Sequence, residues 1–141
     1  MASMAVETFI TNKNLYSVLP AKPGPNIRVV LGILNSRLLS FLYVNRVSQA
    51  DKDDFPQVTI EDLAALPFPD EARQKEQRVR LASLVRKMLS LHARLQKLSV
   101  PLEKGAIEQQ IEDTDKAIDA LVYEMYGLTD DEIAAVEDRS K

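Results

Sequence analysis

The chain contains no cysteine and no tryptophan, and it has one histidine and four glycines in 141 residues. The absence of cysteine excludes disulfides, thiolate metal sites and a cysteine nucleophile. The glycines stand apart at positions 24, 32, 105 and 127, so the sequence has no glycine-rich phosphate loop. His92 has no evident catalytic or ligating partner, and we assign it no catalytic role.

Long apolar runs are also missing. No apolar stretch reaches the ~18 residues of a membrane-spanning helix, and the N-terminus lacks a charged region followed by an apolar core. The sequence therefore predicts neither a membrane span nor a signal peptide, and we expect a cytoplasmic protein. The doubled methionine at Met1 and Met4 suggests a start added to a fragment whose native segment begins near Met4 or Ala5.

Charge is unevenly distributed although the net charge is only −3. Residues 71–98 carry 8 basic and 2 acidic side chains, whereas residues 99–141 carry 4 basic and 12 acidic ones. The favoured interpretation is that a basic arm and an acidic arm neutralise each other when they pack. The alternative is a basic stripe that contacts phosphates.

A three/four repeat of apolar residues dominates residues 71–127. It predicts two long helices around a Pro/Gly break at 99–105, which is the pattern of an antiparallel coiled-coil hairpin. The predicted seam consists of Leu81, Leu84, Met88, Leu91, Leu95 and Leu98 on the first arm and Ile107, Ile111, Ile118, Leu121 and Met125 on the second, with Thr114 as a polar intrusion.

Two registers fit the short connection between these arms. One brings Arg80 near Glu124. The other brings Lys87 near Glu124 and His92 near Asp115. The sequence leaves both open, and exposed ion pairs of this kind contribute only about 0.3–1 kcal/mol each.

The N-terminal part, residues 5–70, is predicted to be a small and partial α/β subdomain. Val6–Ile10 and Leu15–Leu19 are rich in β-formers and flank a polar turn, which favours a β-hairpin. Asn26 is a good N-cap for a helix that runs to about Asn45. Phe55–Ile60 is a candidate for a further short strand.

Local capping signals predict the remaining helix ends. Thr59 and Thr129 each begin a capping box, for one helical turn and for a short last helix. Asp70 is placed to cap the first long helix, and Gly127 is a natural residue to end the second. The fold class is therefore mainly α (α+β), with the helical hairpin at 71–127 appended to the N-terminal subdomain and a short helix and tail at 128–141.

No catalytic constellation can be assembled from these residues. The serines at 36, 83 and 90 lack a matching base. The acidic cluster of Glu112, Asp113, Asp115 and Asp119 has the spacing of a solvated helix face, or of a face that pairs with the basic arm, more than of a metal site. We therefore predict no catalytic residue, no metal and no cofactor in this chain.

Four stretches, taken in order, carry a family resemblance: Phe9–Tyr16, Leu31–Phe41, Phe55–Pro69 and Ile118–Leu128. They resemble the C-terminal specificity domain of TaqI-like, type IIG-like restriction–modification DNA adenine methyltransferases, and similar segments occur in type I specificity subunits. The resemblance covers roughly residues 8–137.

The resemblance implies a non-catalytic module that reads double-stranded DNA within a prokaryotic parent enzyme. That parent would carry an upstream methyltransferase domain that binds S-adenosylmethionine, with or without a fused nuclease. Amide and basic side chains on turns and helix faces can read bases and contact phosphates. The candidates are Asn12, Lys13, Asn14, Arg28, Arg37, Arg46 and Lys52.

A second hypothesis belongs to a different class. The hairpin would dimerise the chain or dock a subunit through its apolar seam, without direct contact to DNA. A homodimer through the hairpin is therefore also an expectation.

Overall fold

A computed structural model describes residues 2–5, 16–20, 24–47, 59–69 and 74–138. These residues are mainly helical and contain no β-strand. The helices are α1 (Ile27–Asn35), α2 (Arg37–Val47), α3 (Ile60–Ala64), α4 (Lys75–Leu95), α5 (Pro101–Tyr126) and α6 (Asp130–Asp138).

The predicted strands are not found in the described part of the chain. Residues 6–15 lie outside it, and the described remainder of the second predicted strand, residues 16–19, is exposed and not in a strand. Residues 55–58 also lie outside, and Ile60 is the first residue of α3. The capping box explains this last difference, since Thr59 Oγ1 accepts from the N–H of Asp62 at 3.1 Å and so draws Ile60 into a helix.

The predicted single helix from Asn26 to Asn45 is two helices, α1 and α2, bent by 61°. Asn26 caps α1 as predicted, accepting from the N–H of Arg28 at 3.0 Å. The break falls at Ser36, whose Oγ donates to the carbonyl of Ile33 at 2.7 Å and accepts from the N–H of Leu39 at 3.3 Å. One serine therefore ends α1 and caps α2. Short polar side chains can do this because they offer nearby backbone groups a hydrogen-bond partner that competes with the helical hydrogen bonds.

Helices α4 and α5 pack side by side as an antiparallel pair joined by residues 96–100. Two predicted bounds are corrected. The predicted cap at Asp70 lies outside the described residues, and α4 begins at Lys75 after Gln74, which makes no side-chain cap. At the other end, α5 begins at Pro101 instead of after Gly105, because proline suits the first helical position.

Hydrogen bonds between the arms favour the first of the two registers. Gln77 Nε2 donates to Glu124 Oε1 at 3.3 Å, and Gln74 Nε2 donates to the carbonyl of Met125 at 2.5 Å. Arg80 lines the same shallow depression as Glu124. The second register would place Glu124 more than two turns away from Gln77. Coiled-coil geometry itself stays a prediction.

The predicted seam residues are buried or half-buried in the structure. The fully buried ones are Leu81, Leu91, Ile107, Thr114, Ile118, Leu121 and Met125. Helix α4 also buries Ala82 and Val85, which lie outside the three/four pattern. Those two are covered because α1 packs on α4, so α4 has a wider buried face than a two-helix seam needs.

The main core lies at the end of the hairpin near Tyr126, where α1 and α2 cover it. Helix α1 packs on α4, while α2 packs on α5 and α6. Gly32 allows the close approach of α1, because a Cβ there would lie 2.8 Å from Val85 Cγ2 and 3.0 Å from Leu81 Cδ1. The bend at Ser36 thus lets one short segment contact both arms of the hairpin.

The end of α5 and the start of α6 follow the sequence signals. Gly127 adopts φ 67°, the left-handed conformation that glycine tolerates best. Thr129 and Glu132 form the predicted capping box, with the N–H of Thr129 donating to Glu132 Oε2 at 2.8 Å. That bond lowers the pKa of Glu132. Helix α6 then buries Val136 against the core.

In the described part of the chain, no single helix is long and apolar enough to cross a membrane. The bent pair α1 and α2 meets the length and composition test only when its two members are taken together.

Candidate nucleic-acid interface

The predicted DNA contacts divide into those that the structure describes and those outside it. Asn12, Lys13, Asn14 and Lys52 lie outside the described residues, and for Arg46 only its place in α2 is described. By sequence, these positions precede α1 or lie in or after the last turns of α2. Their contact with DNA stays a prediction.

Arg28 lies in the first turn of α1 and is half-buried. Its Nε is inaccessible to solvent and makes no hydrogen bond within the described part of the chain. An arginine in the first turn adds positive charge at the positive end of the helix dipole.

Arg37 takes part in a cluster of polar residues at the junction of α2, α5 and α6. Its backbone N–H donates to Asp119 Oδ1 at 2.9 Å, and its Nε lies 3.2 Å from Asp119 Oδ2. The guanidinium also pairs with Glu137, whose other oxygen accepts from the hydroxyl of Tyr123 at 2.8 Å. Arg37, Asp119, Tyr123 and Glu137, here named the junction cluster, therefore join three helices.

The junction cluster shifts the titration of its members. Burial raises the pKa of Asp119 to about 6, and the charges of Asp115 and Glu137 act in the same direction. The backbone N–H and the guanidinium of Arg37 oppose that rise. Burial also raises the pKa of Tyr123, and its hydrogen bond to Glu137 adds to the effect. The junction cluster consequently has a structural role. It holds the partly desolvated carboxylate of Asp119 beside the guanidinium of Arg37.

A cleft of about 550 Å³ lies beside the junction cluster. Its walls include Lys116, Leu128 and Ile133 in addition to the cluster itself. No residue there has the arrangement of a nucleophile with its base. Across the described residues, no group of three or more histidine, aspartate or glutamate side chains is placed to hold a metal ion.

A second set of contacts ties the segment after α3 to the hairpin. The hydroxyl of Tyr126 donates to the carbonyl of Pro67 at 2.7 Å, and burial raises the pKa of this tyrosine to about 12. Arg78 is buried and directs Nη1 to the carbonyl of Pro69 at 3.4 Å. Among the described residues, the N-terminal part and the hairpin are therefore joined at three places: at Gly32, at the junction cluster and at this proline-rich segment.

The favoured interpretation of the basic arm is not supported by the structure. Within the described residues, no ion pair joins an exposed cation of α4 to a carboxylate of α5. Carboxylates of α5 instead find partners on their own helix: Lys116 pairs with Glu112 at 2.6 Å, and Gln109 bonds Asp113 at 3.0 Å. The basic surface of α4 faces solvent.

Comparison with known families adds the decisive observation. Residues 1–68 match the model of the TaqI-like C-terminal specificity domain. The resemblance inferred from the sequence is confirmed. The matched specificity domain contains α1, α2 and α3, and the proline-rich segment just beyond α3 begins within it.

One relative extends the likeness past the specificity domain. A protein of Methanocaldococcus jannaschii, whose name assigns it provisionally to the type II restriction enzymes and methyltransferases, is 32% identical over 128 residues. The match covers 89% of this chain and 10% of that protein, so the chain spans about one tenth of the relative's length. No solved structure gives a significant match.

Sequence reasoning missed the junction cluster. Asp119 was placed on a solvated acidic face, yet it is 4% exposed and contacts Arg37, 82 positions away. No spacing within α5 marks Asp119 out from its acidic neighbours. The polar pair Asn35-Ser36 does carry a signal in the sequence, since two poor helix formers inside an apolar helix indicate either a close-packing notch or an outside contact.

Proposed function

We propose that the chain is the target-recognition and helical-spacer portion of a restriction–modification N6-adenine DNA methyltransferase. The observation that carries this proposal is the match of residues 1–68 to a specificity domain. The relative that matches 89% of the chain has a name from the same class of enzymes. In this role the chain contributes sequence recognition, while methyl transfer belongs to another part of the parent.

The hairpin acts as the support of the recognition part. Helix α1 is held on α4 at Gly32, and α2 is held on α5 and α6 by the junction cluster. Because both arms are engaged, the direction of α1 and α2 relative to the hairpin is set by buried contacts. A recognition surface needs such fixed placement, since base readout depends on side chains held within hydrogen-bonding distance of base edges.

The catalytic steps are assigned to a methyltransferase domain upstream in the parent. That domain would bind S-adenosylmethionine and act in the cytoplasm of a prokaryote, where its double-stranded DNA substrate lies. In this chain, the polar residues of the junction cluster make structural contacts. Whether a nuclease is fused to the parent is a separate question.

Sequence selection is the direct test of the proposed function. The 141-residue chain is incubated at low salt with a pool of duplexes that carry a random central segment, and the bound duplexes are sequenced over several rounds. We expect enrichment of one short motif. Binding without any enrichment would contradict target recognition by this chain.

The competing function is a docking or dimerisation module that does not touch DNA. One observation favours it: at the end of the hairpin remote from the main core, Val100 is 50% exposed and Leu102 is 85% exposed. Analytical ultracentrifugation over a range of concentrations distinguishes the two functions. A stable dimer that fails to bind any duplex at low salt would support docking and exclude DNA recognition.

A further inference from the structure

We propose that the exposed face of α4 binds the sugar–phosphate backbone of duplex DNA next to the recognised sequence. The choice of DNA as the partner rests on the proposed function. The surface itself rests on the charge, exposure and spacing of the residues of α4 and of the turn that follows it. It is named the basic face here and consists of Lys75, Arg80, Arg86, Lys87, Arg94 and Lys97.

The basic face follows from helical periodicity. The exposed positions 75, 79, 83, 86, 90, 94 and 97 are separated by steps of three and four, which keeps them on one side of the helix, and the exposed Arg80 and Lys87 lie at the edge of that side. The opposite side carries the buried residues Leu81, Ala82 and Val85. Most of the cations are thus directed away from both α1 and α5, whereas Arg80 lies at the edge of the face beside Glu124 of α5.

The cations of the basic face have no carboxylate partner in the described part of the chain. None of the described ion pairs includes them. Glu76 is the one acidic residue of α4. Glu124 lies near Arg80 across a shallow depression, but its Oε1 accepts from Gln77. Six positive charges are therefore available to an outside partner.

The dimensions of the basic face suit a duplex. From Lys75 to Lys97 it spans roughly 33 Å at about 1.5 Å per residue. One turn of double-stranded DNA is about 34–36 Å long, and each strand presents a phosphate about every 3.4 Å of axis. Cations along this length can reach several phosphates of a duplex.

The composition of the basic face also favours a phosphate backbone over a protein. Ser83, Ser90 and Ala93 lie exposed between the cations, and such small side chains permit a close approach of a polyanion. Val79 is the one large apolar side chain exposed on α4. The centre of a protein interface is instead depleted of charge and rich in aromatic residues. Phosphate contacts position a protein on DNA without reading its sequence.

The test removes charge at exposed positions and measures duplex binding as a function of salt. The variant is the triple change Arg86→Gln, Lys87→Gln and Arg94→Gln. We expect affinity for a scrambled duplex of about two turns to fall at least about tenfold at roughly 100 mM salt. The slope of log K against log salt should become shallower by about 0.9 for each phosphate that the variant no longer neutralises.

A matched control removes a cation away from the basic face. Lys116 lies on α5 and pairs with Glu112, so Lys116→Gln should leave both affinity and salt slope unchanged, whereas Lys87→Gln alone should lower both. Circular dichroism and thermal melting establish that the variants remain folded. An equal fall in affinity for Lys87→Gln and Lys116→Gln would overturn the proposal, because general charge would then explain binding.

The outcomes separate this inference from the proposed function. If the wild type enriches a motif and the triple variant keeps its affinity, the basic face does not contact DNA although target recognition stands. If no motif is enriched but the triple variant fails to bind duplex, the inference stands and target recognition fails. If the triple variant no longer self-associates and still binds duplex like the wild type, the basic face belongs to a second copy of the chain and the inference is overturned.

Discussion

Helices α4 and α5 carry opposite charge, yet they use it differently. Among the carboxylates of α5, Glu112 and Asp113 have partners on the same helix, Asp119 has its partner on α2, and Glu124 accepts from the amide of Gln77 on α4. The exposed cations of α4 have none in the described part of the chain. Opposite net charge on two packed helices therefore does not imply that they pair. In this hairpin the acidic arm stabilises the fold, and the basic arm is available for binding.

The largest expected effect tests the apolar contact that both arms share. Leu91 is 3% exposed, and Leu91→Asp places a charge in an apolar environment. We expect a decrease of about 4 kcal/mol in the free energy of unfolding, measured by urea denaturation. The control is His92→Asp, which introduces the same side chain at the exposed neighbouring position and should cost less than about 0.5 kcal/mol. Similar stabilities for the two variants would refute the packing of Leu91 between the arms.

The second prediction concerns how closely α1 approaches α4, the basic arm. Gly32→Ala adds a methyl group 2.8 Å from Val85 Cγ2, which forces side chains to shift. We expect a destabilisation of about 1–3 kcal/mol, seen as a lower midpoint in thermal unfolding. Gly105→Ala is the control, because a Cβ there meets nothing within 4 Å and alanine favours a helix by up to about 1 kcal/mol. A stabilised Gly32→Ala protein would exclude the close contact between α1 and α4.

The third prediction asks what the acidic arm contributes at the junction cluster. Asp119→Asn keeps an oxygen that can accept from the N–H of Arg37, whereas Asp119→Ala leaves that N–H without its partner. We expect the alanine variant to be less stable than the asparagine variant by about 1–2 kcal/mol in urea denaturation. Asp115→Ala, at an exposed position, should differ little from the wild type. Equal stability of the two Asp119 variants would mean that the hydrogen bond from the N–H of Arg37 to Asp119 contributes little to stability.

The smallest effect concerns pH. The pKa of Asp119 is raised to about 6 from 3.8, so between these values the folded protein binds more protons than the unfolded chain. Stability contributed by this group consequently falls as pH rises through about 6 and is recovered as pH falls towards 4. Relative to Asp119→Asn, the wild type should gain about 1 kcal/mol between about pH 7 and about pH 5. Parallel pH profiles for the two proteins would contradict the raised pKa.

Local signals in the sequence predicted much of the helical architecture. Asn26, Thr59, Gly127 and Thr129 mark helix ends because each satisfies backbone groups within a few residues, and such short-range chemistry is legible in a sequence. The break at Ser36 could be predicted only in part from the sequence. Its polar pair was noticeable, but the bend depends on packing against both arms of the hairpin, which no local pattern encodes.

Long-range partners could not be predicted from the sequence. Asp119 resembles its acidic neighbours until α2 folds against it, and Val85 is buried only because α1 covers α4. The inferred pairing of the two arms finds no ion pair among the described residues, for a related reason. Net charges add over a segment, whereas ion pairs require particular side chains on facing sides of two helices, and most exposed cations of α4 lie on the side away from α5.

The bend at Ser36 has a consequence for how such proteins could acquire new targets. Helices α1 and α2 together form a bent unit, here named the bracket, that packs on the hairpin. Most of the predicted DNA contacts lie before it at 12–14 or beyond it at 52. Substitutions at those positions leave Gly32, Ser36 and Asp119 in place, so the bracket and the hairpin can remain unchanged while the flanking segments diversify. The buried contacts of α1 and α2 thereby mark the part of the chain that must stay fixed, and under the proposed function the segments on either side of it can change the sequence that is recognised.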